Sequence, residues 1–305
     1  MKIYIPDILT KDDLQYFTEL FLAIPYIDRP LYSIVSQHAN WWNEGLFTQL
    51  FFNEPIHSNV SMSECEVICI PFKYSANDDR IINICNQAKK YNKQVVSFFN
   101  DDFTDCFNSL PENLILFRTS AYKTKLNRNE RILPVLVSDH CNINNVEPQE
   151  EIKNNVGFCG HAEGIREGIL NKIESVVGSQ RCNFIIRSTF YHHTGQVNIK
   201  TRREYYKNIT TNLFTLCIRG AGNFSYRFYE ALSLGRIPIL IDTDIALPFD
   251  RMIDWNDYII KINENEIGKL TTLIDSCIIE PIKVRKLWET YFSPAGYTKN
   301  FLSDI

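Results

Sequence analysis

Phe214-Thr-Leu-Cys-Ile-Arg219-Gly220-Ala-Gly222-Asn-Phe-Ser225-Tyr-Arg227-Phe-Tyr-Glu230-Ala-Leu-Ser-Leu-Gly235-Arg-Ile-Pro238-Ile-Leu-Ile-Asp242 reads as a buried strand, a glycine turn, a helix and a second buried strand. Gly220 and Gly222 allow close backbone approach and positive φ. Ser225 is placed to cap the helix. The free N–H groups of the first helical turn, aligned with the helix dipole, make an anion site, and Arg219 at the strand end is aimed at the same place. A diphosphate leaving group would be stabilised there without a metal. Arg227 and Glu230 are three residues apart and share a helix face, opposite Phe224, Phe228, Ala231 and Leu232. Alone, that pair reads as a surface ion pair worth roughly 0.2–0.5 kcal/mol; beside the glycine turn and Arg219, a binding site is the better reading. The turn is not a G-x-G-x-x-G fingerprint, and Asp242 follows a further strand instead of sitting where a dinucleotide-binding acid would.

Outward from this stretch the chain alternates strands and helices, the order of mostly parallel sheets. In the first half, strands are expected at Lys2–Pro6, Glu66–Pro71, Gln94–Phe99 and Asn113–Phe117. Helices are expected from Thr10, around Trp42–Leu50, and over Asp78–Tyr91, where Ile81, Ile82, Cys85 and Ala88 share a face. Residues 138 to 154 are polar, Asn-rich and contain Pro148, as a linker would be. The alternation then restarts. Strands are expected at Asn155–Cys159, Asn183–Ile186 with Arg187 at the end, Phe214–Ile218, Ile237–Ile241 and Tyr258–Ile262. Helices are expected at Ala162–Val177 (Ile165, Ile169, Ile173 and Val176 aligned), Arg202–Ile209, Ser225–Leu234 and Val284–Phe292. This gives two Rossmann-like domains, residues 1–150 and 151–305, with a cleft at the carboxyl ends of their strands. The last helix is free to pack back on the first domain.

The 305 residues are 45% hydrophobic and 22% charged, globular values that exclude disordered or collagen-like chains. A net charge of -4 argues against a global grip on nucleic acid. No apolar run is long enough for a membrane span, and Pro6 and Asp7 interrupt any signal-peptide core. The nine cysteines are odd in number, and several, Cys69, Cys159 and Cys217 among them, lie in apolar strand-like stretches, as free thiols in a reducing cytosol do. A cytoplasmic protein is expected, with peripheral membrane association compatible. Asn59, Asn208 and Asn223 open glycosylation triplets, the last inside the anion-binding turn, where a glycan would block it.

The run Leu-Cys-Ile-Arg-Gly-x-Gly-x-x-Ser-x-Arg-x-x-Glu-Ala-Leu-x-x-Gly-x-Ile-Pro resembles the exostosin family, the family 47 glycosyltransferases. Leu247-Pro248-Phe249, Ile253-Asp254-Trp255, Phe158-x-Gly160 with Arg166, and Arg285-x-x-Trp288 extend the resemblance, which is strong from about 155 to 262 and diffuse before 150. It implies the GT-B fold, two facing Rossmann-like domains, and inverting sugar transfer from a nucleotide diphosphate, with UDP-sugars the donors of animal and plant members. Arg219 and Arg227 match arginines near the donor diphosphate. Glu230 matches the acid that bonds the nucleotide ribose, and Gly220, Gly222 and Ser225 match the phosphate-facing turn. Arg187 is counted with these donor-binding residues. Ile218 stands where animal members have Pro, which points to a microbial or viral branch.

An inverting transfer needs a base near the acceptor hydroxyl. Asn100-Asp101-Asp102 follows a first-domain strand; in extended chain the two carboxylates point opposite ways, and Asp101 is chosen as the base, Asp102 as a cap for the segment after it. His38, His57 and Asp139 are weaker candidates. Arg118-Thr119-Ser120 could bind an acceptor hydroxyl or phosphate, and His192-His193 could touch either substrate. Asp242-Thr-Asp244 has the letters of a metal motif but follows the wrong strand, so no metal or other cofactor is expected. The expected function is transfer of a sugar from a nucleotide-sugar donor to a glycan or glycolipid acceptor in surface polysaccharide synthesis. The alternatives are a fucosyltransferase-like enzyme using a GDP-sugar, and an inactive nucleotide- or glycan-binding module.

Overall fold

The computed structural model describes residues 2–4, 6, 60–135, 137, 139, 151–188 and 199–305. The expected helices from Thr10 and near Trp42–Leu50 lie outside these residues, as do the candidates His38, His57, His192 and His193.

Two all-parallel five-stranded sheets organise the chain. The first is β1 (Ile3–Tyr4), β2 (Val67–Lys73), β3 (Val95–Phe99), β4 (Leu114–Arg118) and β5 (Glu130–Ile132), in that spatial order. The second holds β6 (Lys153–His161), β7 (Cys182–Arg187), β8 (Asn212–Cys217), β9 (Ile237–Asp242) and β10 (Ile260–Asn263), ordered β10-β9-β8-β6-β7. Near-continuous burial along β3, β4 and β9 is what a parallel sheet covered on both faces requires.

Side-chain alternation in the first sheet sorts residues between two cores. Ile68, Ile70, Val95, Leu114 and Leu116 pack under α1 (Asp79–Lys89). Val67, Cys69, Val96, Phe98, Ile115 and Phe117 face the other way, into a cluster that continues through the second half to Trp288 and Phe292. The α1 face is corrected: Ile81, Ile84, Cys85 and Ala88 are buried at helical spacing, whereas Ile82 is 44% exposed. Likewise α2 (Ile165–Val177) buries Ile169, Leu170, Ile173 and Val177 but leaves Ile165, in its first turn, 68% exposed.

The second sheet continues with α3 (Ile199–Thr211) before β8 and α4 (Tyr226–Ser233) between β8 and β9. Beyond β10 come α5 (Leu270–Asp275), α6 (Pro281–Leu287), five residues in wide π-type turns, Trp288–Phe292, and α7 (Pro294–Asn300). Phe292 packs against Tyr229, Trp255 and Phe249, sealing this end of the core. The chain then returns to the first sheet, where the Arg131 Nε donates to the Asp304 carbonyl at 2.6 Å.

The two carboxyl ends meet. Lys123 N–H donates to the Asp244 carbonyl at 2.8 Å, and Tyr122 forms an antiparallel bridge with Ile245. Two parallel αβ sheets meeting at their carboxyl ends are the GT-B architecture. Among the described residues, no helix is long and apolar enough to cross a membrane.

Candidate functional site at the meeting of the two sheets

In the second sheet the chain order reverses at β6: β7 lies on one side and β8 on the other. The loops after β6 and β8 therefore diverge and leave a crevice at a topological switch point, where open α/β sheets bind ligands. Arg219 to Ser225 follow β8 there. The turn closes on itself, with Gly220 N–H donating to the Phe224 carbonyl at 3.2 Å. Neither Gly220 nor Gly222 has the positive φ allowed for in the sequence reading; close approach is the reason for Gly222. A methyl group there would lie 2.5 Å from Asp102 Oδ1 and 2.6 Å from the Phe224 ring. Ser225 is at the N-cap of α4 with extended backbone, but its side chain makes no capping bond, which corrects its expected role.

Arginines converge on this turn. Arg219 Nη1 donates to the Tyr122 hydroxyl at 3.1 Å, across the two sheets. Arg166, in the first turn of α2, donates from Nε to the Arg219 carbonyl at 3.0 Å and from Nη1 to the His161 carbonyl at 3.2 Å. Its other terminal nitrogen would lie 3.5 Å from a methyl at Gly220. Burial, then the neighbouring Arg227, pushes the Arg166 pKa down, so the pocket favours an incoming anion. Arg227 lies over the Phe158 ring at 4.3 Å and the Tyr205 ring at 5.5 Å. Its Nη2 donates to the Cys159 carbonyl at 2.6 Å, while its Nε is buried without a partner. A buried N–H without an acceptor is costly, and a ligand oxygen would relieve it.

Glu230, one helical turn on, accepts from the Tyr205 hydroxyl of α3. Burial pushes its carboxyl up, and Tyr205, Arg227 and Arg202 act against that. Arg187, at the end of β7, pairs with Glu204 of α3 and approaches Cys159 Sγ at 3.5 Å. It braces the strand end beside the anchor of Arg227. The sequence reading named Arg166 only as a motif position and missed Tyr205 and Tyr122, because their roles come from α3 and from the other sheet.

Across the junction, the end of β4 fastens the loop after β3. Arg118 is 1% exposed and pairs with the buried Glu130 at 2.7 Å. It also donates to the carbonyls of Phe103, Asp105 and Ser120. These bonds use its fork internally, so the expected acceptor contact by Arg118 is corrected to a structural one. Thr119 Oγ1 donates to the Asp101 carbonyl and accepts from Asp101 N–H. Ser120 Oγ bonds the Asp102 carbonyl at 3.3 Å and accepts from Asn223 N–H at 2.8 Å.

The two aspartates point apart, with their capping roles reversed from the expectation. Asp101 pairs with Lys73 of β2 at 2.6 Å and accepts from Phe103 N–H at 3.0 Å, so Asp101 is the cap. The Lys73 bond chiefly holds its carboxyl below the usual range, against the desolvation that would raise it. Asp102 reaches the Gly222 turn. Asp139 is engaged by Arg285 through two bonds of 2.8 and 2.7 Å. With its guanidinium over Trp288 at 4.6 Å, Arg285 makes the Arg285-x-x-Trp288 motif a structural clamp.

Asp242 pairs with Lys261 at 3.1 Å, and Asp244 accepts from Thr124. Among the described residues, no group of His, Cys, Asp and Glu could hold a metal ion. Asn223 is 1% exposed: its Nδ2 donates to the Ala121 carbonyl and its Oδ1 accepts from Thr243. Asn208 is also buried, donating to the Asn183 carbonyl. Neither side chain is accessible to a glycan in the folded chain.

The model of the exostosin GT47 domain matches residues 58–277. A rice protein described as probable glucuronosyltransferase Os03g0107900 is 29% identical over 103 residues, 32% of this chain and 24% of that protein. The Arabidopsis thaliana probable beta-1,4-xylosyltransferase IRX10L is 36% identical over 72 residues, 24% of this chain and 17% of that protein. The chain thus spans about a quarter or less of the length of these relatives. A glycosyltransferase structure from Rickettsia africae matches 99% of this chain and 96% of its own at 9% identity, with a TM-score of 0.49.

Proposed function

This chain belongs to the exostosin GT47 family, and from that premise we propose that it is an inverting glycosyltransferase taking its sugar from a nucleoside diphosphate. One observation carries the reading. Arg166, Arg219 and Arg227 converge with the Gly220–Ser225 turn and the start of α4 at the switch-point crevice, and the buried Arg227 Nε still lacks an acceptor. Guanidinium groups and helix N–H groups aimed at the β-phosphate would stabilise the charge that develops as the glycosidic bond breaks. Glu230, held by Tyr205, is suited to accept from the ribose hydroxyls. The diphosphate is neutralised by these side chains, so the reading needs no metal and activity should survive EDTA.

The second sheet, within residues 151–305, is assigned the donor. The first, within 1–150, is assigned a glycan or glycolipid acceptor, with its loops supplying the base. The single buried thiols Cys69, Cys159 and Cys217 suit a reducing, cytoplasmic setting. The glucuronosyl and xylosyl groups named for the plant relatives put UDP-glucuronic acid and UDP-xylose first in a donor panel. The test is nucleotide release from UDP-, GDP- and CMP-sugars. UDP release from one of the UDP-sugars, lost in Arg219→Ala, is expected. Release only from a GDP-sugar would move the enzyme to the fucosyltransferase-like alternative. Nucleotide binding with no turnover of any donor or acceptor would leave a binding module.

A further inference from the structure

We propose that Asp102, not its neighbour Asp101, is the general base; the inference rests on the glycosyltransferase reading above. The geometry separates the two carboxylates. Asp101 is closed into an ion pair with Lys73 and an N–H bond from Phe103, contacts that stabilise its charged form and weaken it as a base. Asp102 is exposed, and its Oδ1 lies against the open face of Gly222, on the turn that would hold the leaving group. Burial raises the pKa of Tyr226, in the first turn of α4, and the nearby carboxylates of Asp102 and Glu230 add to that rise. The Asp102 backbone is fixed on both sides: Thr119 holds Asp101, Ser120 holds the Asp102 carbonyl, and Arg118 holds the Phe103 carbonyl. Ser120 also binds Asn223 of the donor turn, so one hydroxyl sets the distance between carboxylate and leaving group. Rigid placement of this kind is what a proton acceptor in a displacement needs. Asp139, the other first-half candidate, is occupied by Arg285.

The step is a single displacement. A lone pair of the acceptor hydroxyl oxygen forms the new bond to the anomeric carbon. The bond from that carbon to the β-phosphate oxygen breaks, its electron pair leaving on the nucleoside diphosphate. The hydroxyl proton passes to the Asp102 carboxylate.

The test uses water as acceptor, with UDP-glucuronic acid and UDP-xylose as donors and UDP as the binding probe. Asp102→Asn should lower kcat for donor hydrolysis at least about 100-fold and leave the UDP dissociation constant within about threefold. Asp101→Asn should lower kcat less than about 10-fold, the effect of loosening a positioned loop. Near-native kcat in Asp102→Asn, a larger loss in Asp101→Asn, or a loss in Asp102→Asn matched by weakened UDP binding would each overturn the assignment. Wild-type protein that neither binds UDP nor releases it from any donor would instead overturn the underlying reading, a failure distinct from that of Asp102.

Discussion

The two sheets share strand number and direction but differ in spatial order. The first runs β1 to β5 without reversal among the described residues; the second reverses at β6. A reversal parts adjacent loops at a sheet's carboxyl end, and among the described residues it occurs in the second sheet alone. The arginines follow the same division. Arg118, at the end of β4, spends its donors on Glu130 and on carbonyls of its own half. Arg227, above β6, keeps a buried N–H without an acceptor. A buried arginine is therefore not a ligand site by itself; the state of its donors decides.

The largest effect is expected on the first sheet. Arg118→Met removes the ion-pair partner of the buried Glu130, and should cost about 3–5 kcal/mol of stability in chemical denaturation. A loss below about 1 kcal/mol would show that Arg118 is not the fastener described. Next comes the second sheet: Arg219→Ala should raise the barrier to transfer by about 2–4 kcal/mol, read from kcat/KM. Its stability should change by less than about 1 kcal/mol. Equal losses of stability in the two variants would erase the contrast.

A third prediction concerns the outer rim of the first sheet. Burial pushes the Asp304 carboxyl from 3.8 up to about 6, against the opposing pull of Arg131. The native chain then holds this proton more tightly than the unfolded chain. Its contribution makes stability fall as pH rises from about 4 to about 6, and that deficit persists above 6. Asp304→Asn should therefore gain about 1–3 kcal/mol at pH 7 and nothing at pH 3.5. A gain independent of pH would show that Asp304 stays ionised in the native state. The smallest effect is at Glu230: Glu230→Gln should weaken UDP binding by about 1.5 kcal/mol in titration calorimetry and leave the fold intact. Unchanged UDP affinity with abolished turnover would move Glu230 from the ribose to the reaction itself.

Strand positions were legible in the sequence wherever apolar residues ran continuously. The expected Phe214–Ile218 and Ile237–Ile241 fall within a residue or two of β8 and β9. The short β5 was not legible: Glu130-Arg131-Ile132 carries two charges and belongs in a buried strand only because Arg118 and Asp304 meet them there. The Ile82 and Ile165 faces were misjudged because both lie beside an apolar stripe, and the sheet surface available to each helix selects which stripe is buried.

At the site, the sequence by itself determined the chemistry on offer: a strand, a glycine turn and a helix start flanked by Arg219, Arg227 and Glu230. Local periodicity and turn stereochemistry suffice for that, since each acts within a few residues. Only the tertiary structure decided which groups are free to use it. Lys73 claims Asp101, Arg285 claims Asp139, and Glu130 claims Arg118, while Asp102 remains at the Gly222 turn. Those partners lie 28, 146 and 12 residues away along the chain. Charge pairing depends on distance in space, which no spacing in the sequence encodes.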